Sequence, residues 1–477
     1  MPPLLTNVVR RERTASELNR LTEAMSDWLA RRRKADCDVA GEYIGRYKTQ
    51  LDTIERVLMK GAAARLAENT RNLETGDDPG SFYDACRDID LATVWLQRIW
   101  EFYRDKFDQR DDERLAPVLR SADEIVWSCY HGVMERARQI DVSLDHGAAP
   151  LAFIAPEYSP AAVESDRPLV GALRLQVDLP GWDDELRKLV DVLPLPLLTL
   201  PAWCVKAPWW LVYIGHEVGH HVQTRLRLKK HFEDGIRNAA ASALADGQSE
   251  RWGRWADEIF ADVFSVLALG RWAAWSVAEI ERSAKAQMVE PKPKYPSPAV
   301  RLLLLERTAR ELGLNAPDTL ADVDLQTLAS QKQDAAVDGV VRFAFGALPL
   351  GKPLADLCGF TADGGADMKA RAAEFDQKSS YWRLNLRSAK PPSPTRALAT
   401  ARQVTAGAVA AWYDVSRIAD DSQRDAAGKA LAQALVTVLQ QSGPPGTRGD
   451  HQPEAPDSSV GVLLAERLVG ASRRRFA

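Results

Sequence analysis

The chain has 477 residues, 62 basic against 66 acidic, with 45% hydrophobic and 27% charged content. That length allows two to four domains and more than one hydrophobic core. The composition is that of an ordinary soluble globular protein, and the net charge of -4 excludes a nucleic-acid footprint spread over the whole chain.

The opening stretch, MPPLLTNVVRRERTASELNR, places its basic residues after a short apolar patch, the reverse of a signal peptide. No run approaches about 18 uninterrupted apolar residues, so no membrane span is expected. Cys37, Cys86, Cys129, Cys204 and Cys358 are scattered, odd in number and without CxxC spacing. They read as reduced, buried thiols, and the expected location is cytoplasmic.

Residues 11 to about 142 carry helical periodicity almost throughout. Leu18, Leu21, Met25 and Trp28 form one stripe, Leu51, Ile54, Val57 and Leu58 a second, and Leu91, Val94, Trp95 and Ile99 a third. Asp77 to Ser81 breaks the pattern, and a further helix is predicted over Glu113 to Ile140. With no cluster suggesting chemistry, residues 1–142 read as a helical accessory domain for regulation or partner binding.

Past Asp145 the composition shifts. Short β-like runs at Leu151 to Ile154, Leu169 to Leu179 and Leu195 to Leu200 are separated by proline and glycine. The third contains Pro196 between Pro194 and Pro201, which predicts an edge strand. Pro208 is suited to the first turn of the next helix. That helix, PWWLVYIGHEVGHHVQTR from Pro208 to Arg225, has little polar face before Glu217 and should lie deep in its domain.

A short helix is expected near Ile236 to Leu244, and one long helix from about Glu250 to Arg282. Half of the 14 tryptophans fall between Trp203 and Trp275, which predicts a rigid, well-packed core there. Met288 to Pro298 reads as a loop and Ala299 to Leu312 as a helix. Residues 325–442 are mainly helical. Ser442 to Ser459, rich in glycine, proline and charge, reads as a flexible tail leading to a short helix at Val462 to Val469.

Chemistry concentrates in His216-Glu217-Val218-Gly219-His220. On a helix the two imidazoles stand one turn apart, about 6 Å along the axis, and face the same way. Glu217 flanks them, roughly 100° around the barrel. This is the H-E-x-x-H arrangement, two nitrogen ligands for zinc with a carboxylate beside them as general base. A catalytic zinc ordinarily takes a third protein ligand. Glu258 and Asp262, one turn apart on the later helix, offer that ligand and a carboxylate to orient a ligand imidazole. His221 points elsewhere as the next residue in the helix. His131, His146, His231 and His451 read as ordinary histidines.

These motifs resemble the gluzincin group of zinc metallopeptidases, in which an H-E-x-x-H helix is followed by one carrying E-x-x-x-D. The resemblance covers residues 190 to 285. It implies a zinc ion held by His216, His220 and Glu258, with Glu217 as base and Asp262 behind the ligands. It also implies a substrate-binding edge strand at Leu195 to Leu200. The gap from His220 to Glu258 is longer than in thermolysin-like members, and the motif assigns no residue to the oxyanion. Tyr295 and Arg301 are the candidates for that role.

The expected architecture is mainly α with an α+β catalytic core. A zincin-like metallopeptidase domain with a small mixed sheet (143–312) lies between helical domains at 1–142 and 313–442, with a tail at 443–477. The expected partners are a protein or peptide substrate and a regulatory protein on the helical flanks, with no nucleic acid and no membrane. Two other readings stay open: a zinc hydrolase of a non-peptide amide, and a zinc-stabilised scaffold without activity.

Overall fold

The computed structural model describes residues 7–36, 45–73, 79–144, 147–156, 161–163, 195–244, 247–315, 331–359, 368–388, 390–443 and 455–474. These residues are mainly helical, with one small sheet. They divide into two compact units. One comprises Met1–Asp108, Val163–Leu197 and Gly446–Ala477, and the other Gln109–Ala162 and Leu198–Pro445.

The first unit begins with α1 (Asn7–Ala35), which buries the predicted stripe of Leu18, Leu21, Met25 and Trp28. Helix α2 (Lys48–Thr53) continues without a break into a π-helical segment (Ile54–Ala63) and then α3 (Ala64–Arg71). Helix α4 (Pro79–Asp108) starts on a proline, whose missing N–H is harmless in a first turn. Its Trp95 and Ile99 are buried as predicted, whereas Val94 is exposed.

The second unit opens by fastening the chain to its first strand. The Gln109 amide both donates to the Ile154 carbonyl and accepts from the Ile154 N–H, each at 2.8 Å. Helix α5 (Ala116–Ile140) is buried along most of its length, including Ser128, Asp123 and Glu124. So thoroughly covered a helix is a core element, and it packs inside this unit. The sequence reading had grouped it with residues 1–142.

The sheet has strand order β1-β3-β2, from β1 (Leu151–Ala155), β2 (Ala161–Val163) and β3 (Leu197–Pro201). This corrects the expectation of an edge strand at Leu195 to Leu200, since β3 lies in the middle. The prolines do not prevent it: Pro196 precedes the strand and Pro201 is its last residue, leaving Leu197 to Leu200 with N–H groups for the ladder. The predicted strand at Leu169 to Leu179 lies outside the described residues.

Pro208–Tyr213 forms a 3-10 segment, so the motif helix α6 (Ile214–Arg225) starts six residues later than Pro208 suggested. After α7 (Lys229–Ala241), the single helix expected from Glu250 to Arg282 is three: α8 (Ser249–Arg254), α9 (Ala256–Leu269) and α10 (Ala273–Glu281). Gly270, at φ +68°, makes the second break. The run Ala256–Glu281 is long and apolar enough to cross a bilayer, but 83% of its apolar window is buried inside the protein.

Helices α11 (Lys285–Met288), α12 (Pro298–Glu311), α13 (Gln331–Ala344), α14 (Leu354–Leu357) and α15 (Met368–Asn385) follow. Helix α16 (Thr400–Ser416) has every residue from Thr400 to Ala411 buried. Trp412 on it stacks on Trp209 at 4.0 Å between ring centroids, one part of the aromatic core the tryptophan density predicted. Helix α17 (Asp421–Gln441) ends the unit.

The chain re-enters the first unit as α18 (Ser459–Arg474), longer than the helix predicted at Val462 to Val469. It meets the π-helical segment backbone to backbone. A Cβ on Gly461 would stand 1.9 Å from the Val57 carbonyl oxygen, and one on Gly61 2.4 Å from that of Ser458. Cys86, Cys129, Cys204 and Cys358 are free and buried, while Cys37 lies outside the described residues.

Candidate metal centre

Helices α6 and α9 pack against each other within the second unit, and two glycines set how closely. Gly215 and Gly219, one turn apart, face α9. A Cβ on Gly219 would lie 3.0 Å from the Ala261 Cα and 3.2 Å from the Phe264 Cβ, and one on Gly215 2.5 Å from the Leu269 Cδ1. Without side chains there, the backbones approach, and the His216–His220 face of α6 reaches the Glu258–Asp262 face of α9. The sequence reading singled out neither glycine. Their one-turn spacing around the first histidine was the available signal.

Three donor atoms converge. His216 Nε2 lies 3.3 Å from His220 Nε2 and 3.3 Å from Glu258 Oε2, and His220 Nε2 lies 3.8 Å from Glu258 Oε2. Zinc bonds of about 2.0–2.2 Å in a tetrahedron set ligand atoms about 3.3–3.6 Å apart. Glu258 Oε2 is buried with no aligned hydrogen-bond donor, and such an atom is costly unless a cation or donor meets it. On both counts the residues present fit a small divalent cation with nitrogen and oxygen preference. His216, His220 and Glu258 form one group that could hold a metal ion. His221 is buried but outside that group.

Behind the donors stands a charged chain. His216 Nδ1 is 2.9 Å from Asp262 Oδ1, close but not aligned as a hydrogen bond, which leaves Nε2 facing Glu258 and His220. Asp262, 1% exposed, accepts from Arg301 Nε at 2.7 Å and Nη2 at 2.9 Å. Arg301 Nη1 donates to Glu281 at 3.0 Å, and Lys292 Nζ to the other oxygen of Glu281 at 2.7 Å. Arg271, just past the end of α9, pairs with Asp376 at 2.9 Å.

Protonation follows these contacts. Burial opposes charge on His216, but the carboxylates of Asp262 and then Glu258 override it and lift the imidazole to about 10. Burial and the charge on His216 push His220 down to about 4. Burial raises Asp262, and Arg301 and His216 more than reverse that, holding it down at about 2.

Tyr295 is half-buried on the far side of this chain. Its ring lies under the Arg301 guanidinium at 5.2 Å, and the Glu258 charge acts on its hydroxyl. Burial and then the Glu258 charge push that hydroxyl up to about 12. Glu217 is 5% exposed, beside His216 in the first turn of α6. The structure therefore brings together His216, His220, Glu258, Asp262, Tyr295 and Arg301, all chosen on sequence. Glu281 and Lys292 were missed, since no local pattern marks Glu281 as the partner of Lys292, 11 residues on, and of Arg301, 20 residues on.

Among protein-family models, curated proteins and solved structures, none matches this chain.

Proposed function

We propose that the chain is a zinc-dependent peptidase with a gluzincin-like, zincin-type catalytic core in its second unit. The observation that carries this reading is the convergence of His216 Nε2, His220 Nε2 and Glu258 Oε2 at 3.3–3.8 Å around a buried oxygen without a donor. When bound, zinc would supply Lewis acidity for a peptide carbonyl and acidify water. His216, His220 and Glu258 would hold it, and Asp262 would keep His216 in the tautomer that presents Nε2.

Glu217 is the general base. It takes a proton from the attacking water and delivers it to the leaving amine, so that the peptide C–N bond breaks as the C–O bond forms. Its burial beside a ligand supports a chemical role. Tyr295, its hydroxyl kept protonated, donates to the oxygen on which charge develops. Arg301 is a positioning residue: its Nε, Nη1 and Nη2 are each directed to Asp262 or Glu281.

Elemental analysis of the purified chain tests the centre: about one zinc per chain is expected in wild type and a large loss in Glu258→Ala. Chelator-sensitive casein hydrolysis, abolished in a Glu217→Gln variant that retains zinc, is the expected activity. Zinc without hydrolysis of any peptide in a library would overturn the peptidase assignment, and no zinc in wild type would overturn the centre.

A further inference from the structure

A second charged cluster lies away from the metal centre, in the same unit, around the turn that ends α14. The Arg136 Nη1 on α5 donates to the carbonyls of Leu357 at 2.8 Å and Gly132 at 3.0 Å. A Cβ built on Gly359 would stand 2.9 Å from Arg136 Nη2. Arg371 on α15 reaches the Gly359 carbonyl at 3.4 Å. Leu398 packs over Gly132 beside the Arg136 guanidinium, and one helical turn further on stands Arg402. That side chain is 8% exposed, its Nε has no partner, and its nearest acceptor is the Ala268 carbonyl at 3.5 Å.

None of the three guanidinium groups has a carboxylate within ion-pairing distance among the described residues. Burial lowers the affinity of Arg136 for a proton, and Arg402 and Arg371 press it further down, while the nearby Cys358 is a buried, neutral thiol. Every other deeply buried guanidinium so far described is neutralised: Arg301 by Asp262 and Glu281, Arg110 by Asp123 at 2.6 Å. A buried, unpaired cation is strongly destabilising, and Arg402 is one, with Arg136 close enough to repel it.

We propose that Arg136, Arg371 and Arg402 form an oxyanion site that takes a multiply charged tetrahedral group, a phosphate or sulfate ester or the free ion. The guanidinium fork matches such oxygens two at a time. Arg371 is exposed, Arg136 half-buried, and Arg402 buried with its Nε unpartnered, so the three grade from the surface inward. Arg402 also touches the last turn of α9, the helix that carries Glu258 and Asp262. This site is independent of the zinc reading, because it shares no residue with it.

The test is thermal melting of the full-length chain titrated with inorganic phosphate, chloride keeping the ionic strength constant, with sulfate and acetate as parallel arms. The expected result is a saturable rise in melting temperature with phosphate and sulfate and little with acetate. The apparent affinity should fall at least about tenfold in Arg371→Gln and Arg136→Gln, where one fork is removed. In chloride alone Arg371→Gln should melt at or above the wild-type temperature, because it relieves repulsion; a merely structural arginine would melt lower. Arg342→Gln, in a separate arginine-rich pocket with Arg307 and Arg310, should keep wild-type affinity. A titration without saturation, or equal affinity in wild type and Arg371→Gln, overturns the proposal. Chelator-treated protein should give the same titration, and an effect confined to the zinc-loaded form would place the anion at the metal instead.

Discussion

Gly219→Ala isolates the device that brings the two ligand-bearing helices together. The added methyl would sit 3.0 Å from the Ala261 Cα and 3.2 Å from the Cβ and Cδ1 of Phe264. The Ala261 atom is backbone and cannot swing aside, so α6 and α9 must separate by about 0.4–0.8 Å to restore ordinary contact near 3.4–3.8 Å. Overpacking of this kind typically costs about 1–3 kcal/mol, offset by about 1 kcal/mol of improved helix propensity. The net loss of stability is then about 0–2 kcal/mol. Metal affinity should suffer more. Both histidines ride on α6 and move together, whereas Glu258 is left behind on α9, and a zinc ligand tolerates only about 0.2 Å of error. Zinc affinity, measured by competition with a chromogenic chelator, should drop at least about tenfold, equivalent to about 1.4 kcal/mol. Gly215→Ala is the internal comparison. Its methyl meets the tip of the Leu269 side chain, which can rotate, with the Ser265 Cα at an unstrained 3.5 Å. It should lose less than half as much. Undiminished zinc affinity in Gly219→Ala, or the opposite ranking of the two variants, would refute the claim that helix approach sets the ligand geometry.

Other consequences follow from the charged chain behind the ligands. Asp262→Asn keeps the shape but removes the charge facing His216 and Arg301. Zinc affinity should fall about 10–100-fold, and stability by about 3–5 kcal/mol because Arg301 is left buried and unpaired. Adding Arg301→Met should recover stability in chemical denaturation without recovering zinc, which separates the two roles of Asp262. Tyr295→Phe should lower kcat for a peptide substrate about 10²-fold or more with little change in zinc content, as expected for a donor used on the developing oxyanion. Asp414 offers a pH test on a group that is not a ligand. Its hydrogen bonds to Arg383 and Arg387 outweigh partial burial and hold it below the usual carboxylate range. Its contribution is therefore present above that range and lost as pH falls through the folded value. Asp414→Asn should melt lower than wild type at neutral pH, with the gap closing in acid, and a gap that widens in acid would contradict the sign.

How much was legible in the sequence depended on whether a feature is local. His216, His220, Glu258 and Asp262 each sit one turn from a partner, so spacing alone fixed which side chains share a face. Their convergence is not local. It depends on Gly215 and Gly219, which a search for side chains overlooks because what they contribute is the lack of one. The breaks at Trp255 and Gly270 were hidden for the opposite reason: apolar residues continue across both, so periodicity reported one helix where the structure has three. For β3 the prolines were counted correctly, but their place at the ends of the ladder was not visible.

Arginine in an otherwise apolar helix is a stronger signal than it was given credit for. Arg301 stands in PAVRLLLL and Arg402 in TARQVTAGAVAAW, and neither stretch offers an acidic residue one turn away. A guanidinium there cannot be solvated, so a counter-charge must come from elsewhere in the fold or from outside the chain. For Arg301 the fold supplies Asp262 and Glu281, which ties the start of α12 to the ligand helix. For Arg402 the fold supplies one backbone carbonyl at 3.5 Å and the repelling charge of Arg136. The same rule that explains the first residue leaves the second unexplained by the chain alone, and an anion restores the balance.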